Sequence, residues 1–129
     1  MLVETSAIVA LLLEEPDAVE LAERLDAAEK PVTTVVNAFE AALSVGRAIE
    51  NRELAARAVP ELLRGAGVEM IGVDAELYDG LIETYAKYGK GTGHPAKLNF
   101  GDCFSYTMAK RLGVSLLYTG NDFAKTDLA

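Results

Sequence analysis

Sulfur, histidine and positive charge are all scarce in this sequence. A single cysteine, Cys103, excludes an internal disulfide and makes a reducing cytoplasm the simplest setting. One histidine together with that cysteine is too few for a zinc centre. Lys and Arg number 12 against 20 Asp and Glu, a formal net charge of −8. A general nucleic-acid coat protein would carry a basic face, so that class is excluded. An enzyme that works through bound cations is not, and an acidic chain can seek a basic partner. No Lys or Arg precedes the first apolar run, Ala7 to Leu13, and Glu4 stands where a secretory leader carries positive charge. No signal peptide is therefore expected. The same run is too short to cross a bilayer, so no membrane role is expected either.

What is present is an apolar, alternating chain. Half its residues are hydrophobic, enough to fold, and 129 residues suit one domain over 1–129 with a real core. No internal repeat and no linker divides it. Met1 to Val3 and the residues just after read as a strand interrupted by one charge. Pro16 suits the first turn of a helix whose apolar positions are Ala18, Leu21, Ala22, Leu25 and Ala28. Val32 to Val36 is β-branched and reads as a second strand. A helix from about Asn37 follows, with an apolar stripe at Ala38, Ala41, Ala42, Val45 and Ala48 and a polar one at Asn37, Glu40, Ser44 and Arg47. Arg52 to Arg64 is helical, with Pro60 expected to kink or restart it. Val68 to Val73 reads as a third strand, and Asp74 can cap the next helix, whose Tyr78, Leu81, Ile82 and Tyr85 share a face. A loop from Gly89 to Pro95 leads to a helix over about Gly101 to Leu112, capped by Gly113. Val114 to Tyr118 is the last strand. Strands alternating with helices predict a mostly parallel sheet with helices on both faces.

Four acids stand out by context. Glu4 ends the first strand, Glu40 lies in the first turn after the second, Asp102 opens a helix and Asp122 follows the last strand. In parallel α/β sheets, sites gather at the carboxyl ends of strands, so acids distant in sequence can converge there. Converging carboxylates repel unless protonated or neutralised. A hard divalent cation removes the conflict, and all-oxygen ligation points to Mg²⁺ or Mn²⁺. Such ions orient a phosphodiester and activate water. Taken singly, each acid has a plainer reading. Glu4 can pair with an arginine or sit at an exposed strand end. Glu40 can be solvated, Asp102 an N-cap and Asp122 a turn residue.

The motifs add weight in order along nearly the whole chain. "ETSAIVALLLEEPDA", "TTVVNAFEAAL", "LNFGDCFSYTMAK" and "LLYTGNDFAKTDL" resemble the successive segments of a PIN-domain protein of the VapC toxin type. The Leu-Asn-Phe-Gly-Asp run is the most specific. The resemblance implies a three-layer α/β/α fold, a Mg²⁺- or Mn²⁺-dependent ribonuclease and a VapB-like antitoxin that blocks its site. By position it makes Glu4, Glu40, Asp102 and Asp122 the catalytic acids, with Glu4, Asp102 and Asp122 on the metal. Thr5 or Ser6 would bind a metal-linked water or orient a carboxylate, and Asn99 would support the turn before Asp102. Asp127 is near enough in sequence to be an auxiliary acid. Position 4 departs from the pattern, which normally has Asp there; Glu keeps the charge and reaches one methylene further.

Other features carry smaller expectations. "GKGTGHPAK" lacks P-loop order and reads as a surface loop whose Lys90, His94 and Lys97 help hold the RNA backbone. Cys103 reads as a small buried residue. Tyr78, Tyr85 and Tyr88 can stack on bases, though helix spacing favours core packing for the first two. Plentiful apolar helical faces predict a homodimer. Two other functions compete: a phosphoacceptor domain, whose paired acids and late-strand lysine are lacking here, and an attenuated or non-catalytic PIN scaffold that lost activity at Glu4.

Overall fold

In the computed structural model, which describes residues 1–129, four short parallel strands form one sheet in the order β3-β2-β1-β4. They are β1 (Leu2–Val3), β2 (Val32–Thr34), β3 (Glu69–Ile71) and β4 (Leu116–Leu117). Leu2 lies opposite both Val32 and Leu116, and Val3 opposite Leu117. The pleat sends these pairs to opposite faces. Leu2 and Leu116 join the Tyr88, Met108 and Phe123 core, while Val3 and Leu117 join Ile8, Leu21, Ala41 and Val59. Helices α1 (Thr5–Leu12), α2 (Ala18–Asp26), α3 (Val35–Ile49) and α4 (Arg52–Gly65) cover the second face. Helices α5 (Tyr78–Tyr88) and α6 (Phe100–Leu112) cover the first. This is the expected three-layer α/β/α arrangement. Each fully buried strand leucine contributes about 1.5–3 kcal/mol. No helix is long and apolar enough to cross a membrane.

The chain runs β1 to β2 to β3 in one direction, then returns to place β4 on the far side of β1. The sheet therefore reverses its order between β1 and β4. Their carboxyl ends open the crevice that parallel sheets use for sites.

Several expectations are corrected. The residues after Val3 do not continue the strand: Thr5 to Leu12 is helical, because Glu4 turns the chain and its side chain accepts from the Ser6 N–H. Likewise β2 ends at Thr34, whose hydroxyl accepts from the Asn37 N–H, so Val35 and Val36 are the first turn of α3. Pro60 does not restart α4, which runs through it. The carbonyl it leaves free, four residues back, belongs to Ala56 on the exposed side where water can take it. Pro16 lies two residues before α2 instead of inside its first turn. Strands three and four are shorter than Val68 to Val73 and Val114 to Tyr118.

Tyr78 and Tyr85 are not core residues; they are 64% and 54% exposed. The α5 face that packs inward is Leu77, Leu81, Thr84 and Tyr88, one position round the helix. Tyr88, the third candidate for base stacking, is buried against Tyr106 and His94. Cys103 is buried, as expected.

Candidate active site

Glu4 follows β1 and is 4% exposed. Its backbone N–H donates to the Leu117 carbonyl at 2.9 Å, so the sheet itself fixes it beside β4. Its extended backbone makes it the N-cap of α1. Oε2 accepts from the Ser6 N–H at 2.7 Å and from Ser6 Oγ at 2.5 Å. Glutamate is not among the favoured N-caps; the extra methylene lets it reach the Ser6 hydroxyl as well. Ser6 Oγ also accepts from the Thr119 N–H at 3.0 Å, which ties the loop after β4 to α1. Thr119 in turn donates its hydroxyl to Asp17.

Glu40 sits in the second turn of α3. Thr5 Oγ1 lies 3.2 Å from its Oε1 and donates to it. The carboxylate rests on the backbone of Gly101 so closely that a Cβ there would overlap it. A side chain at position 101 would have to push that carboxylate aside. Asp102 is the third residue of α6 and forms a capping box with Asn99. Its Oδ2 accepts from the Asn99 N–H at 3.0 Å, and Asn99 Oδ1 accepts from the Asp102 N–H at 2.9 Å. The N-cap is thus Asn99, not Asp102. Asp122 is exposed on the turn after β4.

All four acids line one cleft of about 380 Å³, together with Thr5, Ser6, Asn99 and Thr119. No Lys, Arg or His lines it, and the three salt bridges of the molecule lie elsewhere. Burial pushes the Glu4 carboxyl up to about 7, against the Ser6 hydrogen bonds that favour its charged form; Asp102 and Glu40 add repulsion. Burial likewise raises Asp102 to about 6, against the Asn99 N–H, with Asp122 and Glu40 adding to it. As they stand, no three acidic, histidine or cysteine side chains are arranged to hold an ion. Glu4 is turned onto Ser6 and Asp102 onto Asn99. The donor set nevertheless fits a hard divalent cation. It is all oxygen, and its two buried acids lack the positive charge that would keep them ionised.

The loop residues fall outside this cleft. Lys90 and Lys97 are exposed, and Lys90 borders an apolar groove beside Tyr78 and Phe100. His94 Nδ1 accepts from the Ala96 N–H at 3.0 Å and its ring packs on Tyr88, so it shapes the loop. Asp127 is not near the acids; it binds Tyr106 and Lys110 in another cleft. Sequence reasoning did not find Glu15, which lines the acid cleft, or Thr119 and Asp17, which anchor it. Only Thr119, next to the strand end, carried a positional hint.

Residues 1–128 match the PIN domain family model, and the chain belongs to that family. Within it, the relatives are VapC ribonucleases. The chain is 44% identical to the Ribonuclease VapC of Mycolicibacterium smegmatis, an alignment covering 100% of this chain and 98% of that one. It is 40% identical to Ribonuclease VapC30 of Mycobacterium tuberculosis, covering 100% and 96%. The crystal structure of Mycobacterium tuberculosis VapC20, described as a Sarcin-Ricin loop cleaving toxin, superposes with a TM-score of 0.76. That match covers 99% of this chain and 95% of that one at 21% identity, which speaks to fold alone.

Proposed function

We propose that this chain is a VapC-type toxin: an endoribonuclease that hydrolyses RNA phosphodiester bonds with the help of Mg²⁺ or Mn²⁺. One observation carries the reading. Five carboxylates, the four acids and Glu15, line a cleft without a single basic side chain, and burial raises two of them above their ordinary range. Evenly paired surface acids would show the opposite shift. Glu4, Asp102 and Asp122 are the residues that would hold the ion. Bound there, the ion supplies the positive charge that polarises a phosphoryl group and activates water.

The remaining roles belong to the protein. Ser6 holds the Glu4 carboxylate against β4, and Asn99 holds Asp102 at the head of α6. Glu40, held by the Thr5 hydroxyl, would take a proton from the attacking water. Thr5 and Ser6 therefore both orient carboxylates. Lys90 and Lys97 on the loop supply sequence-independent contacts to the RNA backbone. A basic segment of a VapB-like antitoxin matches the negative cleft and blocks it. Exposed apolar side chains such as Phe39, Ile82 and Phe100 fit a homodimer; sedimentation at micromolar concentration would show the dimer, and a monomer there would remove it.

No observation favours a scaffold without activity. The test compares the protein with its Glu4→Asp variant on a structured RNA, with Mn²⁺ and with Mg²⁺. Cleavage by both proteins, with a changed preference between the ions, is the expected result. Cleavage by the Glu4→Asp variant alone would make the chain an attenuated nuclease.

A further inference from the structure

Beneath the cleft lies a polar cluster that the proposed chemistry leaves unused. Asn37 has no exposed surface, yet both polar atoms of its side chain are matched. Nδ2 donates to Ser105 Oγ at 2.7 Å and to Thr5 Oγ1 at 3.1 Å. Oδ1 accepts from Thr34 Oγ1 at 2.7 Å, and the same hydroxyl accepts from the Asn37 N–H at 3.1 Å. These partners lie on three elements: Thr34 ends β2, Thr5 opens α1 and Ser105 is in the second turn of α6.

Both arms lead on to Glu40. Thr5 Oγ1 has one proton, and with a lone pair taken by Asn37 it turns that proton toward Glu40 Oε1 at 3.2 Å or the Asn37 carbonyl at 3.3 Å. Ser105 Oγ, likewise engaged by Asn37, donates to the Gly101 carbonyl at 3.3 Å. Gly101 is the residue on which the Glu40 carboxylate rests. A carboxamide offers two donors and an acceptor without charge, and this position uses all three. Aspartate has the same shape but no donor, and it would draw the Thr5 proton to itself.

We propose that Asn37 is a positioning residue for Glu40: through Thr5 it aims a hydroxyl at the carboxylate, and through Ser105 it fixes the Gly101 backbone beneath it. This rests on Glu40 serving RNA cleavage. Buried groups of this kind that orient a working carboxylate change activity by roughly 10–100-fold when altered.

The experiment has two arms on the full chain. In the first, RNA cleavage is measured for Asn37→Asp, Thr5→Val and Glu40→Gln, singly and combined. Asn37→Asp should lower kcat at least about tenfold with KM nearly unchanged. In the Glu40→Gln background the same change should cost less than about twofold. Asn37→Ser, which keeps one donor, gives the same comparison should the aspartate variant fold poorly. An equal loss in both backgrounds would overturn the proposal. The second arm follows the Asn37 side-chain amide signals by NMR. Thr5→Val and Glu40→Gln should shift them, while Asp122→Asn should not. Signals indifferent to Glu40→Gln would overturn the proposal. This arm needs no activity: if the wild-type protein fails to cut RNA, the functional reading falls, and the amide signals still decide the role of Asn37.

Discussion

The two ends of α6 treat their acids in opposite ways. At the carboxyl end, Asp127 accepts from Lys110 Nζ at 2.8 Å and from the Tyr106 hydroxyl at 2.5 Å. Arg111 forks to Asp74 and Glu76, both at 3.1 Å. The lysine bond holds Asp127 below the usual carboxylate range, and the Arg111 bond does the same for Asp74. At the amino end, Asp102 has a helix N-terminus and a backbone N–H in its favour, yet it is raised from 3.8 to about 6. A helix terminus is worth about 0.3–1 kcal/mol, whereas that rise corresponds to about 3 kcal/mol. Burial and like charge therefore win. Acids supplied with cations tie the fold together. Acids gathered without one, beside the carboxyl ends of β1 and β4, are the group proposed above to hold a cation.

The largest way to break this contrast is at Asp102. Asp102→Asn keeps the acceptor for the Asn99 N–H and so the capping box, but it removes the charge. RNA cleavage should fall about a thousandfold, on the order of 4 kcal/mol of barrier, while the melting temperature of the metal-free protein near neutral pH should rise, because the buried charge is gone. A loss of fold instead of rate would make Asp102 a structural cap.

The next prediction concerns pH. The Glu4 carboxyl is raised from 4.5 to about 7 in the folded state. Between those values the folded chain binds more protons than the unfolded one, so its stability falls as pH rises. The contribution is fully present below about pH 4.5 and lost by about pH 7, roughly 3 kcal/mol. Denaturation in chelator at pH 5 and pH 7.5 should show that loss, and Glu4→Gln should remove most of it. Saturating Mn²⁺ should recover stability at the higher pH by neutralising the ionised carboxylates.

At the other end of α6, Asp127→Ala should lower the melting temperature modestly and leave cleavage unchanged. The effect stays modest because the ion pair is half exposed and screened by solvent. Smallest of all, a Lys90, His94 and Lys97 triple alanine variant should weaken RNA binding slightly. It should also flatten its salt dependence by about two charges, read by fluorescence anisotropy across salt concentrations.

The layered architecture and the gathering of the four acids were legible because both follow from local signals: alternating patterns, and acids at strand ends or near helix starts. Boundaries were not. The Ala7 to Leu13 run is short and apolar enough to suit either strand or helix, and the Glu4 cap that decides the matter is itself a site residue. On α5 the period was right, but of the expected face only Leu81 packs inward. Tyr78, Ile82 and Tyr85 alternate with an equally apolar stripe at Leu77, Leu81 and Tyr88, and only α6 decides which is covered. The Asn37 cluster joins residues 32 and 68 positions apart, a closeness that no spacing in the chain foreshadows.

The most direct test of the central claim is a calorimetric Mn²⁺ titration at pH 7 in buffers of different ionisation enthalpy, on the protein and on Asp102→Asn. The account predicts saturable binding that releases protons from Glu4 and Asp102, lost or greatly weakened in the variant. No saturable binding, or binding that Asp102→Asn leaves untouched, would contradict it.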